Sequence, residues 1–122
     1  MSIRATLLML SGLHDPTWGL DAEQSEELVR RLQPVLAQLS PSKPVLRDGL
    51  GYRGIHVVVE DEPRLPDELF ASCGTLIVPR RGSTSGTSIS ELERWLLSTA
   101  AGGVDPHLIE AAEQELSARA ST

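Results

Sequence analysis

Helix and strand patterns alternate along this chain with two glycine-rich stretches, residues 11–19 and 47–54. These stretches hold Trp18 and Tyr52, two of the only four Trp, Tyr and Phe residues. Because aromatic rings are costly to leave in water, each ring must either pack against the fold or contact a ligand. That choice constrains both the architecture and the function of the chain.

Length and composition favour one folded domain. A chain of 122 residues with 40% apolar and 23% charged residues can bury a core of its own. We expect residues 1–118 to form a single α+β domain and residues 119–122 to be a frayed tail. The single cysteine, Cys73, cannot form an intrachain disulfide, and the early apolar run over 5–10 is too short for a signal peptide or a membrane span. These features predict a cytoplasmic protein.

The charge balance argues against nucleic acid as a partner. The chain has 17 acidic and 11 basic residues, a formal charge of -6, which repels phosphate backbones. The basic pairs Arg30-Arg31 and Arg80-Arg81 have no aromatic stacking platform in the neighbouring sequence. We expect neither nucleic acid nor a membrane as partner, and no cofactor.

The first half of the sequence predicts one strand and one helix. Residues 3–10 form an increasingly apolar run that is typical of a strand covered on both faces. Asp21 and Gln24 have the spacing of a capping box, and apolar residues at helical spacing follow. Pro34 should kink or interrupt this helix near its end.

The second half predicts two or more strands and two helices. The β-branched segment 55–60 should form a hairpin with a strand beginning at Val45 and Leu46, whereas 61–68 is expected to be a surface loop. Residues 75–78 should be a strand, and 82–87 a flexible loop.

Two helices are expected near the end of the chain. Ser88 and Glu91 have capping-box spacing before one helix, and Asp105 with Pro106 should start the last. The prediction is therefore an α+β fold with three to four mostly antiparallel strands against three helices, in the order β-α-β-β-β-α-α. A more mixed sheet, with the first strand parallel to a later one, is the alternative.

Five residues of the glycine-rich stretches, together with His56 just after the second, are candidate binding residues. His14, Asp15 and Trp18 could form a ligand platform at the end of the first strand, or Trp18 could simply close the core. The second group lies around the second glycine-rich stretch. It could contact a partner or an anion where glycines allow close approach, or belong to an ordinary hairpin. Its members are Tyr52, Arg53 and His56, together with the neighbouring Arg47.

Other motifs give no catalytic or metal-binding prediction. The segment 82–87 precedes a helix but lacks the lysine of a phosphate loop. Cys73 is expected to be a structural thiol, and the acidic residues over 60–68 match no calcium-loop spacing. We therefore predict no catalytic residue and no metal site.

The motifs also resemble those of a group of small bacterial proteins with no established activity. The resemblance is carried by Ser11-Gly12, Asp15-Pro16-Thr17-Trp18, the centre Gly49-Leu-Gly-Tyr-Arg-Gly54, and the late segment Glu93-Arg-Trp-Leu-Leu-Ser-Thr99. It implies a single bacterial domain and assigns no catalytic residue.

Two functions are consistent with these observations. The first is a non-catalytic domain that binds a protein or peptide through a sheet edge or the Trp18 and Tyr52 stretches, and the sequence leaves open a homodimer. The second is a small enzyme or small-molecule-binding protein with a pocket between residues 11–19 and 47–56. The second function requires these two stretches to be neighbours in space.

Overall fold

A six-stranded antiparallel sheet organises the chain in the computed structural model, which describes residues 2–10, 16–41, 51–72, 74–100, 103–104 and 106–120. For residues 9–10, 51–52 and 115–120 only the backbone is described. The spatial order is β2-β1-β3-β4-β5-β6, with every neighbouring pair antiparallel. The strands are β1 (Ser2–Leu10), β2 (Thr17–Gly19), β3 (Gly51–Glu60), β4 (Glu68–Ser72), β5 (Thr75–Val78) and β6 (Gly82–Ser85).

The α+β class and the antiparallel sheet are confirmed, but the predicted strand number and order are wrong. Six strands are present where three to four were expected, and the described strands include no parallel pair. The three additional strands are short, and β2 and β6 have few apolar residues, so their sequences resemble turns. The predicted strand at Val45 and Leu46 lies outside the described residues.

Strand β6 shows why the predicted flexible loop at 82–87 is wrong. Its backbone pairs with β5 over Gly82 to Ser85. On its other side, Ser40 and Ser83 exchange two backbone hydrogen bonds of 2.9 Å each. Since these bonds use only backbone groups, a segment without apolar side chains can still join the sheet.

The helices are α1 (Ala22–Leu36), α2 (Thr87–Ser98) and α3 (Pro106–Ala120). The Asp21 capping box is confirmed, because Asp21 Oδ1 accepts from the Gln24 amide (2.7 Å) and Gln24 Oε1 accepts from the Asp21 amide (3.0 Å). Helix α1 runs without a break through Pro34, which lies in its last turn. The Ser88 capping box is wrong: the N-cap of α2 is Gly86, two residues earlier, and it makes no side-chain cap hydrogen bond.

The core lies between the helices and one face of the sheet. Alternate residues of the strands, among them Ala5, Val57 and Leu69, are fully buried and form one cluster with apolar residues of α1 and α2. The neighbouring residues in these strands point to the opposite face. We call this second side the open face; among the described residues, its apolar side chains do not pack against the core.

Candidate functional site

A row of six side chains crosses the open face from one edge strand to the other. Each member lies directly opposite the next in the strand register, so neighbouring side chains lie side by side. We call this set the central row. In order across the sheet it contains Thr17, Thr6, His56, Phe70, Ile77 and Ser83.

The middle of the central row is a stacked pair of rings. The imidazole of His56 and the ring of Phe70 are nearly parallel, at 12°, with centroids 4.4 Å apart. His56 Nε2 also lies 3.0 Å from Glu68 Oε2, within hydrogen-bonding distance. Because both a ring and a carboxylate hold it, the His56 side chain has a defined orientation although it is 25% exposed.

Apolar side chains flank this pair. Val58 is 37% exposed, more than any other large apolar residue in the described part of the chain. Ile77 continues the central row beside Phe70, and Leu8 lies on β1 opposite Gly54. The open face therefore offers a partly exposed apolar centre.

Gly54 is required on this face for a steric reason. Its φ is +137°, and a Cβ atom there would lie 2.7 Å from the carbonyl oxygen of Ala71. Any other residue would therefore strain the backbone and collide with β4. Because glycine has no side chain, no side chain projects from this position between Leu8 and Ser72.

A groove of about 780 Å³ opens at one end of the same face, and we call it the end groove. Asp67 and Glu68 line it where β4 begins, which we call the acidic wall, and Arg80 and Arg81 line it in the neighbouring turn after β5, which we call the basic wall. The lining also includes Val58 of the open face, which lies opposite Glu68 on the side of β4 away from the turn after β5. The remaining lining residues are Leu65, Pro66, Val78 and Pro79.

An ion-pair cluster lies in the connection between β3 and β4, close in sequence to the acidic wall. Arg64 contacts Glu62 (Nε to Oε1, 2.7 Å) and Glu26 of α1 (Nη2 to Oε1, 3.0 Å). Hydrogen bonds from the Arg64 side chain and backbone amide lower the pKa of Glu62 to about 2. Hydrogen bonds to Glu62 and Glu26 in turn raise the pKa of Arg64 above its ordinary value. These contacts tie the connection between β3 and β4 to α1.

The basic wall is a tight turn with an unusual residue in it. The Arg81 amide donates to the carbonyl of Val78 (3.0 Å), and Arg80 has a φ of +71°. Turns with proline second and a positive φ at the third position favour glycine or asparagine there. Arginine at this position presents a guanidinium group at the mouth of the end groove.

Trp18 lies in the core. It is 6% exposed, lies opposite Ala5 on the covered face, and its Nε1 donates to Thr99 Oγ1 (2.8 Å). The packing explanation therefore accounts for this ring, and Trp18 and His56 are on opposite sides of the sheet.

The other predicted binding residues have different outcomes. His14, Asp15 and Arg47 lie outside the described residues, as does Cys73. Tyr52 is paired with Met9 in the backbone register, next to a bulge that includes Arg53. Arg53 is half-buried, and its carbonyl accepts a hydrogen bond from Ser72 Oγ (2.7 Å). A pocket that joins the two glycine-rich stretches stays a prediction.

Sequence reasoning did not single out Phe70, Ile77 or Val58. Residues 68–72 show no alternation of polar and apolar side chains, because Leu69, Phe70 and Ala71 follow one another. Residues 75–78 read Thr-Leu-Ile-Val and do not alternate either, so the shared face of Phe70 and Ile77 follows from the strand register and not from a sequence pattern.

Comparisons with known proteins give no further assignment: no family model, curated protein or solved structure matches the chain. The resemblance to small bacterial proteins therefore stays a prediction. Within the described part of the chain, no helix has the length and apolar character needed to cross a lipid bilayer.

Proposed function

We propose that this protein is a binding domain that docks another protein surface on the open face of its sheet. The observation that carries the proposal is the apolar centre of that face, where the stacked His56 and Phe70 lie beside Val58 and Ile77 and no helix of the described residues packs over them. Apolar side chains that the fold itself does not cover gain free energy when a partner covers them.

The layout of the face matches the general anatomy of protein interfaces. An aromatic and aliphatic centre is surrounded by polar side chains, including the Thr6–Thr17 hydroxyl pair (2.9 Å) and the exposed Arg4–Glu60 pair (3.9 Å). Interfaces commonly combine such a centre with a polar rim, and aromatic residues carry much of their binding energy. The rim groups would fix orientation and the rings would supply affinity.

The shape of the face indicates the kind of partner. A sheet presents a broad, gently twisted surface, which favours a folded protein surface over a small molecule that needs a deep pocket. The central row is defined by register across six strands and ring stacking, so little ordering is required on binding.

The experiment uses Val58→Asp, which places a charge at the most exposed apolar position of the face. Gln114→Asp on α3 is the matched control, because it adds the same charge at an exposed site on a helix. Both variants should remain folded, and Val58→Asp should show a small loss of stability because its carboxylate would lie opposite Glu68. Tagged wild-type and control proteins should capture the same protein from native lysate, and that purified protein should bind Val58→Asp at least about tenfold more weakly.

Equal binding by Val58→Asp and the wild type would overturn the proposal, since a charged residue cannot be buried at an apolar contact without a large cost. Equal weakening by Gln114→Asp would also count against it, because the effect would then follow net charge and not the face.

A further inference from the structure

The two edges of the sheet differ in how the chain covers them. At the β6 edge, Ser83 exchanges backbone hydrogen bonds with Ser40, and a Cβ atom on Gly82 would collide with the Ser40 carbonyl. At the β2 edge, Thr17 and Gly19 are exposed, and in the described part of the chain no strand lies beyond them. The β2 edge is therefore the one that the described residues leave open.

The register shows which backbone groups of β2 face outward. On either side of this strand, the Pro16 carbonyl accepts a hydrogen bond from β1 (2.9 Å) and the Leu20 amide donates one to β1 (3.0 Å). Because bonded and non-bonded pairs alternate along an antiparallel ladder, Trp18 also bonds to β1, whereas the N–H and C=O groups of Thr17 and Gly19 point away from it. The edge thus presents two donors and two acceptors, and among the described residues none of them has a backbone partner.

This edge is complementary to a second copy of itself. A two-fold axis beside Trp18 places Thr17 of each copy opposite Gly19 of the other, so the outward donors of one copy meet the acceptors of the other. The side chains match in the same register. Thr17 would lie over Gly19, which has no side chain to obstruct it, and on the covered side Trp18 would meet Trp18 and Pro16 would meet Leu20.

Exposure and charge favour this contact. Pro16 and Leu20 are both partly exposed, and they lie on the same side of the strand as Trp18, so each would cover the other across the junction. Residues 16–20 include no charged side chain, so no like charges would face each other there. Proline often protects an edge by removing an outward N–H, but Pro16 is at a position where the N–H would point toward β1.

We propose that this chain self-associates through β2, and that the partner is β2 of a second copy. The two sheets then form one continuous antiparallel sheet. The axis is perpendicular to the sheet, so the helices of both copies lie on one side and the two open faces lie side by side on the other. This proposal does not depend on the proposed function, because Val58 lies two strands away from β2.

The length of the edge predicts a weak dimer. Five residues at ~3.4 Å each span only ~17 Å, so the contact buries much less than the ~800 Å² per partner of a standard stable interface. We therefore expect association that depends on protein concentration. Because backbone hydrogen bonds and apolar contacts hold the dimer, added salt should not weaken it.

Sedimentation velocity and amide NMR spectra of the full chain, from about 10 µM to about 1 mM, test the proposal. The wild type should shift from monomer to dimer across this range. The amide proton signals of Thr17 and Gly19 should move downfield with concentration, because these groups gain hydrogen bonds. The amide of Ser85, on the other edge, should not move.

The variant Gly19→Pro removes one outward donor from each copy without removing a bond to β1, so it should dissociate at least about tenfold more readily. Ser85→Pro is the matched control. Ser85 is exposed, and its N–H points away from β5 because Ser83, two residues earlier, bonds outward to Ser40. This control should dimerise like the wild type, and so should Val58→Asp.

Three outcomes would overturn the proposal: a wild type that stays monomeric throughout, a dimer whose Thr17 and Gly19 amide signals do not move, or a folded Gly19→Pro that associates like the wild type. If Gly19→Pro does not fold by circular dichroism, the amide signals of the wild type decide. Loss of lysate partners in Val58→Asp, or its absence, leaves each of these results unaffected.

Discussion

The two faces of the sheet use aromatic residues in different ways. On the covered face, Trp18 is buried and its indole nitrogen is bonded to Thr99, so the ring stabilises the fold. On the open face, Phe70 stacks on His56 and has no contact with the core cluster. A ring in a glycine-rich stretch is therefore a packing element here, and a ring in an ordinary-looking strand lies on the candidate binding surface.

The largest effect should come from the covered face. Trp18→Ala removes a buried indole and leaves the Thr99 hydroxyl without its donor, so we expect a loss of about 3–5 kcal/mol in the free energy of unfolding. Urea denaturation followed by circular dichroism measures it. A loss below about 1 kcal/mol would show that the ring is not a core anchor.

The next effect concerns backbone constraint on the open face. Gly54→Ala should cost about 2 kcal/mol or more, because the added Cβ would lie 2.7 Å from the Ala71 carbonyl oxygen at a φ of +137°. Gly19→Ala is the control, since its Cβ would meet its nearest described neighbour only at 4.0 Å. Equal stability changes in the two variants would contradict the steric explanation.

A smaller effect is expected from the stacked rings. In a double-mutant cycle with Phe70→Leu and His56→Gln, the coupling energy should be about 0.5–1.5 kcal/mol in favour of the native pair. Urea unfolding of the wild type, the two single variants and the double variant gives the four stabilities that the cycle requires. Strict additivity would show that the observed stacking contributes nothing to the order of the central row.

The smallest effect is the pH dependence that comes from the Glu62–Arg64 pair. The folded pKa of Glu62 is about 2, below its ordinary value of 4.5, so ionised Glu62 stabilises the folded state above pH 4.5. This contribution should be lost as the pH falls from 4.5 toward 2. Glu62→Gln should remove that part of the acid dependence, which unfolding curves at successive pH values would detect as a flatter profile.

Local signals predicted the elements that depend on local chemistry. The Asp21–Gln24 capping box, the strand at Thr75–Val78 and the start of α3 at Pro106 follow from residues within a few positions of each other. The α+β class follows from the same patterns.

What the sequence did not predict depends on distant partners. Strand β6 forms because β5 and Ser40 lie beside it. These backbone contacts require no particular residue pattern, so the serine-rich sequence of β6 does not indicate them. The central row likewise depends on the register of six strands, so His56 was identified as a candidate without the Phe70 it stacks on. Position in a sheet is a tertiary property, and residue type alone does not reveal it.

Val58→Asp tests the central claim most directly when its stability and its binding are measured on the same sample. The account predicts an unfolding free energy lowered by no more than about 1 kcal/mol, because the new carboxylate lies opposite Glu68, with binding to the captured partner weakened at least about tenfold. Unchanged binding at unchanged stability would contradict the assignment of the open face as the contact surface.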